Sequence, residues 1–291
     1  MNDDASLLPP LFILSCERSG STLLRCLLDA HPDIAAPGEL MLGDLCARFK
    51  LILERTVALT PAARADGSSP EEAILEEIRR TAGGILDRYC RAKGARLWCE
   101  KTPANLGYAD LLAQVFPAAR FLCLYRDGLD VAYSCIEASR WGFMREVAPF
   151  VAMSPENLPL AMIRNWIVKT TGLLDFEARL QERCFRLRYE DLVADPAGRI
   201  DAVLQFLELP GAPGQIERAF TMAHDPGGGD PGFFKTSGVE PDRLGIGRRE
   251  LLPRLPREAV PRTTDLLARL GYPPLTPALA AHLELPFATI K

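Results

Sequence analysis

The chain has 291 residues, of which 48% are hydrophobic and 25% are charged, and its formal net charge at pH 7 is -4. This length can bury the core of one large domain or of two small ones. The slightly acidic balance gives no reason to expect a nucleic acid partner, so any bound anion must depend on a local group of basic side chains.

The cysteines and histidines show no metal-binding or disulfide pattern. The eight cysteines contain no C-x-x-C pair, and His31, His224 and His282 lack the spacing of a zinc enzyme. Several cysteines lie in apolar runs, as reduced thiols of a core do. The acidic N-terminal stretch has too short an apolar segment for a signal peptide or a membrane span, so we expect a cytoplasmic protein.

Residues 11–30 predict a strand, a turn and a helix in direct succession. Residues 11–14 form an unbroken apolar run, as in a strand that is buried on both faces of a parallel sheet. The small or hydroxylated residues of the turn are Ser19, Gly20, Ser21 and Thr22. Leucines at helical spacing follow, so the N-terminus of the next helix points at the turn, where its backbone N–H groups favour an anion.

This turn differs from the common P-loop, G-x-x-x-x-G-K-[ST]. It contains a single glycine, Gly20, and Arg18 precedes the turn where a P-loop has a lysine after it. The difference argues against a kinase or an ATPase. By composition alone, the turn is either an ordinary strand-to-helix turn with a serine cap or an anion site.

Two charged residues follow further short apolar runs. Glu39 comes after the run at 34–36 and a Pro-Gly turn, and Lys101 follows the run at 97–99. In open parallel sheets the carboxyl ends of the strands face the ligand crevice. Glu39 is therefore a candidate catalytic carboxylate and Lys101 a candidate anion ligand; a solvated carboxylate and an exposed lysine are equally compatible with these positions.

A second strand-to-helix junction follows the run RFLCLY at 120–125. Arg126 ends the predicted strand, and Asp130 is the expected cap of the next helix. Ser134 lies about one turn into that helix, so Arg126 and Ser134 can face the same phosphate. Two such junctions imply a ligand that carries two separated anionic groups.

Helical segments occupy much of the remaining chain. Residues 40–92 are interpreted as a helical insertion, in which Ser69 and Pro70 mark a helix start. Residues 156–183 have the periodicity of one or two long helices. Helical segments of this kind are expected to cover the faces of a sheet.

The C-terminal half adds a fifth predicted strand, at 184–189, and a long loop. Residues 225–250 are rich in glycine and proline, which favours a lid-like loop, and basic residues such as Arg248 can close over an anion. No linker divides the chain. We therefore predict a single α/β domain, 1–291, with a central parallel sheet of about five strands.

Four stretches of this sequence resemble the sulfotransferases that use 3'-phosphoadenosine 5'-phosphosulfate (PAPS). They are ERSGSTLLRCLLDAHPDIAAPGE at 17–39, EKTP at 100–103, YRDGLDVAYS at 125–134 and RYEDLVADP at 188–196. They fall in family order and span most of the chain. Tyrosylprotein sulfotransferases and bacterial natural-product sulfotransferases share the RSG[ST]T turn and the DAHP segment. The resemblance implies a P-loop-like three-layer fold.

The resemblance also implies which residues bind the donor nucleotide. The 5'-phosphosulfate would be held by Arg18, Ser19, Gly20, Ser21, Thr22 and Leu23. Arg126 and Ser134 would hold the 3'-phosphate, and Tyr189 would contact the adenine. From the C-terminal loop, Arg248 is the candidate for a further contact with the cofactor.

Three residues would carry the reaction. Glu39 would take the proton of the acceptor, because Pro103 stands where cytosolic sulfotransferases carry a catalytic histidine. Lys101 and Arg18 would stabilise the charge that builds on the transferring sulfuryl group and on the bridging oxygen.

The predicted function is therefore sulfuryl transfer from PAPS to an acceptor hydroxyl, with release of 3'-phosphoadenosine 5'-phosphate (PAP) and without a metal ion. The expected acceptor is a small-molecule alcohol or phenol of a bacterial pathway, and a tyrosine side chain is the second candidate. Two rival functions are a P-loop nucleoside or small-molecule kinase and a non-catalytic nucleotide-binding module. The enzyme is expected to be a monomer or a homodimer and to bind neither nucleic acid nor membranes.

Overall fold

The computed structural model describes residues 9–57, 69–142, 144–225, 227 and 229–275. Its strands are β1 (Leu11–Ser15), β2 (Ile34–Ala35), β3 (Leu97–Lys101), β4 (Arg120–Tyr125) and β5 (Cys184–Arg188). They form a five-stranded sheet in the order β2-β3-β1-β4-β5, and every neighbouring pair is parallel.

Helices connect these strands and cover the sheet. In chain order they are α1 (Ser21–Asp29), α2 (Leu42–Val57), α3 (Pro70–Ile78), α4 (Gly84–Ala92), α5 (Ala109–Val115), α6 (Gly128–Ala138), α7 (Ala148–Met153), α8 (Leu158–Leu180), α9 (Tyr189–Ala194), α10 (Pro196–Leu207), α11 (Gln215–Thr221), α12 (Ile246–Leu251) and α13 (Val260–Arg269). A π-helical turn, Arg79–Gly83, joins α3 to α4.

The two faces of the sheet bury separate apolar clusters, because successive side chains of a strand point to opposite sides. From β1, Phe12 and Leu14 pack with residues of α3, α4, α5, α8 and α13. Leu11 and Ile13 pack on the other face with residues of α1, α10 and α11. The fold therefore has three layers, and the predicted α/β architecture with a parallel sheet of five strands is confirmed.

Strand boundaries differ from the prediction by one or two residues, and two of these differences involve the predicted site. Strand β3 continues through Glu100 and Lys101, because both residues still pair with β1. The fifth strand ends one residue early, since Tyr189 already belongs to α9. Both differences place side chains of the predicted site on regular structure, which fixes their direction more firmly than a loop would.

The predicted helix start at Ser69 is confirmed. The Ser69 side chain accepts a hydrogen bond from Glu72 N, the Glu72 side chain accepts one from Ser69 N, and Pro70 is the first residue of α3. This reciprocal pair satisfies two backbone donors that the helix itself leaves free. The described residues between 42 and 92 are mainly helical, as predicted for the insertion.

Asp130 was the wrong residue for the cap of α6. The side chain of Asp127 caps the helix by accepting a hydrogen bond from Leu129 N at 2.9 Å. Asp130 is buried and accepts hydrogen bonds from Gly245 N at 2.8 Å and Gly247 N at 2.7 Å. It therefore fixes the C-terminal segment to α6, a long-range contact that local spacing does not reveal.

The glycine-rich segment at 225–250 contains two 3-10 turns, Phe233–Lys235 and Pro241–Arg243, before α12 begins. Helix α12 packs so closely on α6 that a Cβ on Gly247 would lie 2.0 Å from Leu129 O. The predicted peripheral tail falls mostly at 276–291, outside the described residues. Within the described ranges, no helix has both the length and the apolar composition required to cross a bilayer.

Candidate active site

The turn between β1 and α1 is held in a conformation that needs glycine. Gly20 has φ +90°, and a Cβ on it would lie 2.2 Å from the ring of Tyr189. Gly20 also occupies the N-cap position of α1 and, having no side chain, does not cap the helix. The backbone N–H groups of the first turn of α1 can therefore bind an anion.

This turn opens into a cleft of about 540 Å³ at the carboxyl ends of the strands. Most of the predicted site residues line it: Arg18, Gly20, Ser21, Thr22, Leu23, Glu39, Lys101, Arg126, Ser134 and Tyr189. Ser19 and Arg248 do not line it. The Ser19 side chain is buried, and its hydroxyl has no hydrogen-bond partner in the described structure.

A buried ammonium group lies next to the predicted catalytic carboxylate. Lys101 is 1% exposed, its Nζ donates a hydrogen bond to Glu39 Oε1, and Thr22 Oγ1 lies 3.5 Å from the same nitrogen. Strand β3 aims this lysine at the N-terminus of α1. One side of the cleft thus combines a proton acceptor, a cation and free backbone donors.

A second basic group lies at the junction of β4 and α6. Arg126 donates a hydrogen bond to Arg18 O at 3.0 Å, and Arg18 Nε donates one to Ser134 Oγ at 3.1 Å. The Arg126 guanidinium also lies 4.3 Å from the ring centroid of Tyr189. Its Nε is buried without a hydrogen-bond partner in the described part of the chain. These groups can bind a second anion beside an aromatic face.

The C-terminal segment brings an acidic residue that the sequence did not single out. Asp230 Oδ2 lies 2.8 Å from Arg18 Nη2, and Asp230 N donates a hydrogen bond to Thr22 Oγ1 at 3.0 Å. The Asp230 carboxylate therefore forms an ion pair with a basic side chain of the β1–α1 turn. The glycine-rich composition predicted a lid-like loop but carried no signal for this contact.

The arginine that faces the cleft from this segment is Arg243, which lines it. The Arg248 side chain instead bonds Asp127 Oδ2 and Pro273 O, each at 2.7 Å. The segment contains several arginines, and the sequence alone does not show which of them lines the cleft. The course of the chain after the turn Pro241–Arg243 decides it.

A fully buried carboxylate, Glu100, lies directly beside Lys101 in the sequence. It accepts hydrogen bonds from Leu40 N at 3.2 Å, from Thr102 Oγ1 at 2.6 Å and from Asn105 Nδ2. Burial raises the pKa of Glu100 to about 7, although the hydrogen bonds from Thr102 and Leu40 N oppose the shift. From this stretch the sequence predicted a role for Lys101 only, and Glu100 was missed.

The family model of the sulfotransferase family matches residues 9–213, which is more than half of the chain. Protein-tyrosine sulfotransferase 2 of Gallus gallus is 25% identical over 303 residues, covering 92% of this chain and 70% of the relative. Nodulation protein NoeE of Sinorhizobium fredii is 29% identical over 231 residues, covering 70% of this chain and 51% of the relative. The chain spans about half the length of that relative.

The fold also occurs in a solved structure. The sulfotransferase domain from the curacin biosynthetic pathway matches with a TM-score of 0.65 at 22% identity, covering 93% of this chain and 100% of that one. This likeness concerns the arrangement of helices and strands. It agrees with the three-layer fold that the resemblance implied.

Proposed function

The chain belongs to the sulfotransferase family, and on that premise we propose that it transfers a sulfuryl group from PAPS to an acceptor hydroxyl. The observation that carries the proposal is the convergence of two basic groups and one carboxylate in a single cleft. The first group contains Lys101 and the N-terminus of α1, and the second contains Arg126 and Ser134. A nucleotide with a 3'-phosphate and a 5'-phosphosulfate requires two such groups.

In this proposal the acceptor oxygen attacks the sulfur as the bond from sulfur to the bridging oxygen breaks. The proton of the acceptor passes to Glu39. Lys101 and Arg18 stabilise the negative charge on the sulfuryl and bridging oxygens, as fixed cations do in a site that excludes water. The products are the sulfated acceptor and PAP.

The remaining donor contacts are assigned by position. The turn residues bind the 5'-phosphosulfate with backbone and hydroxyl donors: Ser19, Gly20, Ser21, Thr22 and Leu23. Arg126 and Ser134 bind the 3'-phosphate, and Tyr189 contacts the adenine. From the C-terminal segment we place Arg243 against the nucleotide in preference to Arg248, because Arg243 lines the cleft. The reaction uses these donors and requires no metal ion.

The proposed acceptor is a small-molecule alcohol or phenol. A cleft of about 540 Å³ suits a compact acceptor beside a bound nucleotide. A tyrosine side chain is the second candidate, and the names of relatives such as the chicken protein support it.

Membership of the sulfotransferase family does not favour the rival kinase function. A cytoplasmic location, one domain and a monomeric or homodimeric state stay predictions.

The test is transfer of label from PAPS that carries radioactive sulfur to a panel of phenols, alcohols and tyrosine-containing peptides. We expect a labelled small-molecule product, together with one equivalent of PAP. Label on peptides alone would favour the second candidate. Label on no acceptor, together with no binding of PAP, would contradict the proposal.

A further inference from the structure

The segment that carries Glu39 has no regular secondary structure. Strand β2 ends at Ala35 and helix α2 begins at Leu42. Its backbone donors must therefore find partners outside a helix or sheet ladder. The position of the proposed base depends on what those partners are.

Three amides just after Glu39 are bound by side chains of one short stretch. Leu40 N donates to Glu100 Oε1 at 3.2 Å. Met41 N donates to Thr102 Oγ1 at 3.2 Å. Gly43 N donates to Asn105 Oδ1 at 2.9 Å. Each acceptor belongs to β3 or to the turn that follows it.

The three acceptor side chains also bond one another. Thr102 Oγ1 donates to Glu100 Oε1 at 2.6 Å, and Asn105 Nδ2 donates to Glu100 Oε2. All three residues are at most 1% exposed. A buried, connected network of this kind holds its members in a single arrangement.

Packing contributes little to the position of the two residues that directly follow Glu39. The side chains of Leu40 and Met41 are 42% and 36% exposed. At Gly43 the backbone touches the turn directly, since a Cβ there would lie 2.7 Å from Tyr108 Cβ and 2.9 Å from Asn105 Oδ1. Leu42 is 3% exposed and packs in the core, so the amide hydrogen bonds are the main restraint on Leu40 and Met41.

We propose that Glu100, Thr102 and Asn105 are positioning residues that hold Glu39 in place for proton transfer by binding the amides of Leu40, Met41 and Gly43. The stretch thus has two roles. Lys101 contacts Glu39 directly. The three positioning residues, in β3 and just after it, fix the backbone beside Glu39. This inference rests on the proposed function of Glu39.

The test compares Thr102→Val, which removes the hydroxyl at nearly constant shape, with Thr102→Ser, which keeps it. A matched control is Thr171→Val, because the Thr171 hydroxyl is buried without a hydrogen-bond partner in the described structure. Two measurements are made on each variant. One is amide hydrogen exchange of peptides that cover 38–44, and the other is turnover of labelled PAPS beside the affinity for PAP.

In Thr102→Val we expect exchange at residues 40–43 to accelerate at least tenfold. We expect kcat to fall about 10- to 100-fold, since small displacements of a reacting group have effects of this size. The affinity for PAP should stay within about twofold of wild type, because the donor contacts are elsewhere. Thr102→Ser should restore both values, and Thr171→Val should change neither.

Unchanged exchange and turnover in Thr102→Val would overturn the inference, as would an equal loss of PAP affinity and kcat. If that variant does not fold, exchange in the wild type decides, because unprotected amides at 40, 41 and 43 contradict the network. Failure of the wild type to bind PAP would instead contradict the proposed function, and the exchange result would still report on the network.

Discussion

At the scale of single residues, the site depends on a cation that is almost completely buried. Lys101 is 1% exposed and is compensated by Glu39, whose side chain is 23% exposed. Removing the charge of one partner leaves the other in a poorly solvated place. The pairing keeps a carboxylate and an ammonium together where the acceptor proton and the sulfuryl charge must both be accommodated.

Glu39→Gln should lower kcat at least about 100-fold, because an amide cannot accept the acceptor proton as a general base does. The affinity for PAP should remain within about threefold of wild type, since Arg126 and the β1–α1 turn are unchanged. The measurements are steady-state turnover of labelled PAPS and calorimetric titration with PAP. An equal loss of turnover and of PAP affinity would refute the catalytic role.

At the scale of elements, the first part of the C-terminal segment at 225–250 is fixed at two positions. At its start, Asp225 bonds Tyr89 of α4 and Lys93, which directly follows α4. Further on, Asp230 bonds Arg18 and Thr22, which line the cleft. In this arrangement the Asp230 carboxylate contacts the residues to which we assign binding of the phosphosulfate.

Asp230→Asn should tighten PAP binding about three- to tenfold. In this variant PAP no longer has to displace the ion pair between Asp230 and Arg18. Asp242→Asn is a matched control, since it removes the same charge from the exposed part of the same segment. Calorimetric titration of both variants is the measurement. A weaker affinity in Asp230→Asn, or an equal gain in the control, would contradict this role of the segment.

His224 joins the end of α11 to α1 through Asp29, and their side chains lie 2.6 Å apart. Burial disfavours the charged imidazole, but the hydrogen bonds to Asp29, Cys26 and the Ala219 backbone together outweigh it and raise the pKa of His224 to about 10. The unfolded value is near 6.5. Because the folded-state pKa is the higher one, this stabilisation is complete below about pH 6.5 and is lost as pH rises toward 10.

His224→Gln should therefore lower the free energy of unfolding by about 2 kcal/mol at pH 6, a size typical of a charged hydrogen bond. The difference from wild type should shrink between pH 7 and pH 10. Urea unfolding across this range measures it, and Asp29→Asn should show the same loss of pH dependence. A difference that stays constant up to pH 10 would show that the charge of His224 does not contribute.

The sequence predicted the elements and the residues of the site whose signals are local. The apolar runs located the strands, and the positions of Glu39 and Lys101 after two of them brought both residues into the cleft. Asp230, Asn105 and the bonds of Asp130 were not predictable in this way. Each depends on a contact between segments that are distant in the chain, which periodicity and spacing do not encode.

At the scale of the whole molecule, we propose that a chain with a net charge of -4 binds its donor through a local basic site. Two strand-to-helix junctions on neighbouring strands, β1 and β4, supply this site. In the proposed function, their separation on the sheet favours a nucleotide with two anionic ends over a nucleoside triphosphate. The parallel order of the strands therefore underlies the central claim.

Thermal unfolding with PAP and with ATP plus Mg²⁺ tests this claim most directly. A ligand at 100 times its Kd adds about 2.7 kcal/mol to the free energy of unfolding. With about 2–4 °C per kcal/mol for a large domain, PAP should raise Tm by about 5–10 °C, and ATP with Mg²⁺ should raise it much less. A shift with ATP and Mg²⁺ and none with PAP would contradict the account.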